Sequence, residues 1–235
     1  EMKPGFMSGD YLINLDSEDE GQLFVSCAGG VRTEATYTVE EVQLPEGFST
    51  FNFVVKGLTG GHSGDDINKN RANANKLLVR FLLEQCEKTD LRLCDIQAGG
   101  LHNAIPREAH ATVAVPTAYA ATFVTELEAF VAKVREEFSA TEPDLTAALE
   151  AADAASTCIC PEQAVRMLKS LSVVHNGIFA MSQDLEGLVE TSSNLASVRK
   201  QGNQVVATTS QRSSVASNLE YMAAVVRSAF ELGGA

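Results

Sequence analysis

The chain has 235 residues, 45% of them apolar, with 18 Lys and Arg against 31 Asp and Glu, a formal charge of −13. That length buries a substantial core. Such an acidic balance excludes a nucleic-acid or anionic-membrane surface, which needs clustered Lys and Arg. No apolar run approaches the roughly 20 residues of a membrane span, and the first residues carry no secretory signal pattern.

In chain order, Tyr11 to Leu15 and Gln22 to Cys27 read as short strands. Between them lies an acidic cluster, Asp16-Ser17-Glu18-Asp19-Glu20. Charge runs usually form a solvated turn, but a carboxylate launched from a strand end is also a rigid metal ligand. Arg32 to Val39 and Phe48 to Lys56 alternate as a strand pair, with Leu44-Pro45-Glu46-Gly47 as the turn. Next comes a glycine-rich loop around His62, Gly57-Leu58-Thr59-Gly60-Gly61-His62-Ser63-Gly64. Its glycines permit positive φ and close backbone approach.

Helical spacing of Ala72, Leu77, Leu78, Phe81, Leu82 and Cys86 predicts a helix from about Asn68 or Asn70 to Glu87. Leu91 to Gln97 and Glu108 to Val115 read as strands, joined through Leu101-His102-Asn103-Ala104. Thr117 is placed to cap a helix ending near Phe138. Glu142-Pro143-Asp144 breaks that helix, and the Ala- and acid-rich stretch Leu145 to Ala155 is expected to be a solvated helix connecting two halves. Pro161 opens a further helix. Strands Leu188 to Val198 and Gln204 to Arg212 follow, then a helix from about Ser214 to Leu232.

The order repeats weakly, over about 47–138 and 161–235. Each hairpin is matched by an Asn, Asn103 in the first and Asn194 in the second. The expected fold class is α+β, an antiparallel sheet with helices on one face, duplicated internally. The five cysteines, Cys27, Cys86, Cys94, Cys158 and Cys160, are an odd number without a signal peptide, which points to reduced cytosolic thiols. No nucleophile triad, phosphate loop or complete zinc-ligand set is visible. His110 and His175 read as structural.

Several blocks together resemble one family. Asp16-Ser17-Glu18-Asp19-Glu20-Gly21, Cys27-Ala28-Gly29-Gly30, Gly60-Gly61-His62-Ser63-Gly64, Asn73 to Leu82 and Asn103-Ala104-Ile105-Pro106-Arg107 are similar to the aminoacyl-histidine dipeptidases. The resemblance runs in order along essentially the whole chain. It implies a cytoplasmic, homodimeric metallopeptidase with two zinc ions per site, acting on dipeptide substrates of the Xaa-His type. Residues 1–46 would be a flank of the catalytic domain and 47–235 the lid and dimerisation domain. By that resemblance Asp16 is a metal ligand and His62 a catalytic oxyanion donor. Arg212 would bind the substrate carboxylate, and Asn194 would contact substrate. Asn103 and Arg107 are read as holding the hairpin. The remaining ligands and the general-base Glu are expected in the catalytic domain, outside this chain. A lid of a related zinc deacylase or carboxypeptidase, and a purely structural dimerisation module, are the alternatives.

Overall fold

The structure, a computed structural model, describes residues 27–235 without interruption and, before them, residues 5, 8–11, 13 and 21. The strands expected over 11–15 and 22–27 fall mostly, and Asp16 wholly, outside the described residues.

Strand β1 (Gly29–Thr38) comes first, then the short β2 (Glu41–Gln43) and β3 (Phe48–Lys56). Beyond the glycine loop and the two-residue β4 (Gly61–His62) lies helix α1 (Ala74–Cys86). Strands β5 (Arg92–Gly99), β6 (Ala104–Ile105) and β7 (Ala109–Pro116) lead to helix α2 (Ala120–Glu137). Strands β8 (Thr146–Ala151) and β9 (Thr157–Ile159) precede helix α3 (Pro161–Val173). Strands β10 (Gly177–Met181), β11 (Val189–Gln201) and β12 (Gln204–Ser213) and helix α4 (Ala216–Leu232) complete the order.

One eight-stranded sheet runs β1-β12-β11-β5-β7-β3-β8, with β10 beside the first part of β11. Its pairings are antiparallel. The four helices share a single core with one face of this sheet. Phe81 of α1 is its hub, with ring centroids 4.8 Å from Phe53, 5.5 Å from Phe123 and 5.2 Å from Phe130. Under α3 and α4, Tyr37 packs edge-on against Phe230 and its hydroxyl lies 2.7 Å from Ser170 Oγ. Burial pushes the Tyr37 phenol up to about 12.

The strand order is symmetric about the β11–β5 seam, with β12 matching β7 and β1 matching β3. The duplication is therefore nested. Strand β1 belongs to the second half, and the whole first half is inserted between β1 and α3. The short β2–β9 ladder, Glu41 against Ile159 to Gln43 against Thr157, is the stem of that insertion. Consequently the boundary expected at residue 46 does not separate β1 from the lid, because β1 pairs with β12 from Gly29–Ser213 to Thr38–Gln204. Nor do β1 and β3 form the expected pair.

Three local readings are corrected. The expected helix over 145–155 contains β8 instead, held against β3 from Ala151–Phe51 to Thr146–Lys56. A ladder partner overrides the helical propensity of its alanines. Helix α1 starts at Ala74, later than expected, because Asn73 is its N-cap and accepts from the Asn75 and Lys76 N–H groups at 2.9 and 3.3 Å. Thr117 does not cap α2; it opens a single 3-10 turn, and its hydroxyl lies 3.0 Å from Ser49 Oγ.

At the seam, β10 covers β11 only to Ser193 and β5 only from Ser197, so the peptide groups of Leu195 have no strand partner on that side. Asparagines replace it. Leu195 N–H donates to Asn176 Oδ1 at 2.9 Å, and Leu195 C=O accepts from Asn73 Nδ2 and Asn75 Nδ2, each at 3.0 Å. Gly99 closes the gap from the other side. It has φ +72°, and a Cβ there would lie 2.1 Å from Ala196 O, so only glycine fits. Lys76 ties α1 to α3, donating to the carbonyls of Leu171, Ser172 and Val174 at 2.8, 2.9 and 2.5 Å. Burial pulls its pKa down to about 8.

Asn73→Ala removes the α1 cap and leaves the Leu195 carbonyl with one donor fewer. It is expected to cost about 2–4 kcal/mol in urea unfolding, whereas Asn68→Ala, exposed on the preceding turn, is near neutral.

Candidate functional site

Along β12, Val205 and Ala207 face the helices, so Arg212 stands on the opposite, open face. Its cross-strand neighbours on that face are Gly30 and Ser192, and Gly30 leaves room beside the guanidinium. His62 comes from the other half, on β4. That strand pairs with β6, His62 opposite Ala104 and Gly61 opposite Ile105. The β4–β6 ladder lies on the open face of β11, where Asn194 Nδ2 donates to Ala104 O at 2.8 Å.

Gly64 is where the halves meet. A Cβ built there would lie 3.2 Å from Arg212 Cζ and 3.2 Å from His62 Cε1. Arg212 and His62, 150 positions apart in the chain, are thus neighbours across one glycine. Arg212 has no ion-pair partner among the described residues, and its Nε is buried without a hydrogen bond. Ser63 Oγ, 3% exposed and next to Gly64, is likewise unpartnered. Unmatched buried donors are costly, so among the described residues this spot lacks its electrostatic counterpart.

The His62 ring is held at Nδ1, with Asp65 Oδ2 at 2.9 Å and the Asp65 N–H at 3.3 Å. If Nδ1 accepts from the backbone, the neutral ring carries its proton on Nε2. If the ring is protonated and Nδ1 donates to the carboxylate, Nε2 again carries a proton. These two arrangements leave Nε2–H free to donate, whereas a neutral ring whose Nδ1–H donates to the Asp65 carboxylate makes Nε2 an acceptor.

The surrounding loop is braced by charges that the sequence reading did not single out. Asp66 accepts from His62 N–H at 2.8 Å and pairs with Lys69 at 2.6 Å and Arg71 at 3.2 Å. Arg71 also donates to Gly60 O at 2.5 Å. Glu142, 2% exposed, accepts from Thr59 N–H at 2.6 Å and Ala72 N–H at 2.8 Å, fastening both ends of the loop. Glu142 had been legible only as part of a helix stop. Asn103 C=O accepts from Ser63 N–H at 2.8 Å, and the Arg107 stem packs where a Gly60 side chain would be, 2.2 Å from its Cβ position.

Asn194 differs from its expected place. It is 1% exposed, and both ends of its amide are engaged within the chain, by Ala104 O and by Asn73 Nδ2 at 3.3 Å. Nor does it match Asn103, which lies in the β5–β7 connection, whereas Asn194 lies within β11. His110 is exposed, 4.0 Å from Glu108, and His175 Nε2 lies 3.2 Å from Ile178 O; neither approaches His62 through these contacts. Cys158 is buried in β9, with burial pushing its thiol up. Among the described residues no three His, Cys, Asp or Glu side chains converge as a metal-ligand set. The described residues by themselves therefore do not form a two-zinc centre.

A duplicated sheet-and-helix unit thus projects onto its open face an imidazole and a guanidinium that has no ion-pair partner among the described residues. Residues 47–142 match the family described as the peptidase dimerisation domain. Over 234 residues the chain is 35% identical to the cytosol non-specific dipeptidase of Escherichia coli (strain K12), covering 100% of this chain and 48% of the relative. Among solved structures it matches the aminoacylhistidine dipeptidase from Vibrio alginolyticus with a TM-score of 0.91 and 35% identity, over 100% of this chain and 48% of that one. The chain is thus similar along its whole length to these dipeptidases, matches the peptidase dimerisation domain over residues 47–142, and spans about half the length of the relatives it matches.

The Lys69 hydrogen bond holds the Asp66 carboxyl below its ordinary value of 3.8; the His62 N–H and Arg71 act in the same direction and burial opposes them. A depressed carboxyl stabilises the fold above its unfolded pKa, and that contribution is lost as pH falls through the folded value. The NMR shift of the His62 amide is expected to report a carboxyl transition of Asp66 displaced below the ordinary carboxylate value. Asp66→Asn should abolish that transition.

Proposed function

We propose that this chain is the lid and dimerisation part of a metal-dependent dipeptidase acting on Xaa-His dipeptides. In this reading it closes over the substrate and supplies two groups to the site. Arg212 binds the free α-carboxylate of the dipeptide, a task suited to a planar, permanently charged fork. His62 donates Nε2–H to the scissile carbonyl oxygen as negative charge develops there, where a fixed donor is worth roughly 3 kcal/mol. Asn194 acts as a positioning residue, fixing β6 and through it the strand that carries His62. The observation that carries this reading is the unpaired Arg212 guanidinium meeting His62 across Gly64, in a chain of net charge −13.

The two zinc ions implied by the resemblance, the general-base Glu and the remaining ligands are assigned to the catalytic half that the relatives have and this chain does not span. Asp16, the one ligand matched here, lies outside the described residues. When bound in the catalytic half, zinc would supply an activated water. Since both substrate-contact groups meet within one chain, His62 is read as serving the site of its own chain. On this reading the chain by itself binds zinc weakly and hydrolyses nothing, which calorimetry and a peptidase assay would check.

The test uses the full-length protein and two substrates, a dipeptide and its C-terminal amide. Arg212→Ala is expected to raise KM for the dipeptide about 10–100-fold, the value of a charged hydrogen bond, and to leave the amide unaffected. His62→Ala is expected to lower kcat about 10²–10³-fold with little change in KM for either. Turnover of acyl-amino acids with no Xaa-His hydrolysis would assign the lid to the deacylase or carboxypeptidase reading instead. Equal loss on dipeptide and amide in Arg212→Ala would remove Arg212 from the carboxylate.

A further inference from the structure

Two adjacent carboxylates in the His62 loop divide their tasks. Asp66 builds the turn. Its N–H donates to His62 C=O at 2.9 Å, its Oδ2 accepts from the His62 N–H at 2.8 Å, and Lys69 and Arg71 hold the carboxylate in place. Asp65 takes no part in that frame. Its side chain is 86% exposed, and among the described residues its only partner is the His62 ring, with Oδ2 2.9 Å from Nδ1. An exposed pair of this kind adds little to the stability of a fold. The turn therefore gives no reason for a carboxylate at residue 65, whereas the ring does.

A histidine ring can flip about its Cβ–Cγ bond, because that torsion is broad and two-fold. The flip exchanges Nδ1 with Cδ2 and Nε2 with Cε1. In the observed orientation Cε1 faces Gly64, 3.2 Å from the position of a Cβ there, and the Arg212 guanidinium lies across the same glycine. A flipped ring would put a carbon where Nε2 now stands and leave no donor in that direction. Among the described residues the ring is held by Asp65 alone, through its carboxylate and, at 3.3 Å, its backbone N–H. Both contacts need a nitrogen at the Nδ1 position, so both oppose the flip.

We propose that Asp65 is a positioning residue for His62: its carboxylate holds Nδ1 and so fixes the direction in which Nε2 meets the scissile carbonyl. This rests on the oxyanion-donor reading of His62 and deepens it. Closure of the lid removes the water that screens the pair, so the hold is tightest when the donor is used. Asparagine at 65 would keep it, because a side-chain amide offers an acceptor or a donor to Nδ1 in the same place.

Kinetics of the full-length protein, with NMR of the 235-residue chain, test the proposal. Asp65→Ala is expected to lower kcat about tenfold with KM unchanged, the scale of a misplaced catalytic group. Asp65→Asn should restore most of that loss. In a His62→Ala background Asp65→Ala should change kcat by less than about twofold, since the two residues act as one unit. In the chain itself Asp65→Ala should shift the His62 ring resonances and leave the urea midpoint where it was. A loss of equal size in the His62→Ala background, or an Asn variant as slow as the Ala variant, would overturn the positioning role. Full kcat in Asp65→Ala beside a slow His62→Ala would overturn Asp65 and spare His62. Full kcat in His62→Ala would remove the donor reading and, with it, any part for Asp65.

Discussion

The fold depends on how β11 is completed at Leu195. A strand in mid-sheet that loses its neighbour for one residue exposes an N–H and a C=O, and a buried pair of that kind cannot be left unmade. Here Asn176 and the amides of Asn73 and Asn75 take the place of the missing strand. An asparagine can do this because its side-chain amide copies a peptide's donor and acceptor. The same Asn73 caps α1, so one side chain both starts the first half's central helix and closes the second half's central strand. The seam between halves is thereby a hydrogen-bonded joint rather than only an apolar contact.

That joint explains why the site takes its shape. Once β11 is anchored to the start of α1, the loop leading into α1 must cross the open face of the second half. The loop carries His62, and the open face carries Arg212. Asp66, Arg71 and Glu142 then fix the loop's path, and Gly64 permits the final approach. Each half contributes one functional group, so neither half alone presents the pair. Nesting the first half inside the second constrains their relative placement further, since the inserted unit is tethered by chain at both ends of the β2–β9 stem.

Much of the local structure was legible from side-chain periodicity. Phe48 to Lys56 was read with the bounds it has, and α3, α4, β11 and β12 were read within a few residues. Local patterns failed where a distant partner decided the outcome. Thr146–Ala151 is helical by composition and strand by pairing with β3. Nothing in residues 29–38 announces that their partner lies beyond residue 203. The site was legible in part. His62 stood out locally in its glycine-rich loop, but its role, and Arg212 altogether, came through resemblance, because a lone imidazole and a lone guanidinium carry no spacing signal. Their adjacency is a product of topology. Asn194 was noticed as the counterpart of Asn103 and through the resemblance, yet its amide is spent inside the chain. Glu142 escaped because a carboxylate that binds two backbone N–H groups looks, in sequence, like any helix-ending acid.

The nested order also has a consequence in time. Thr33 of β1 bonds Gln211 of β12, 178 residues later. At synthesis rates of about 5–20 residues per second, β1 waits roughly 9–36 s for the strand that will hold it. The inserted first half, with local β–α connections and the Phe81 cluster, can fold during that interval. Strand β1 emerges early and is incorporated late, so the nascent chain carries an unpartnered strand past a completed sheet with two open edges. The charges on β1 that seem idle in the finished molecule would keep it from annealing there while it waits.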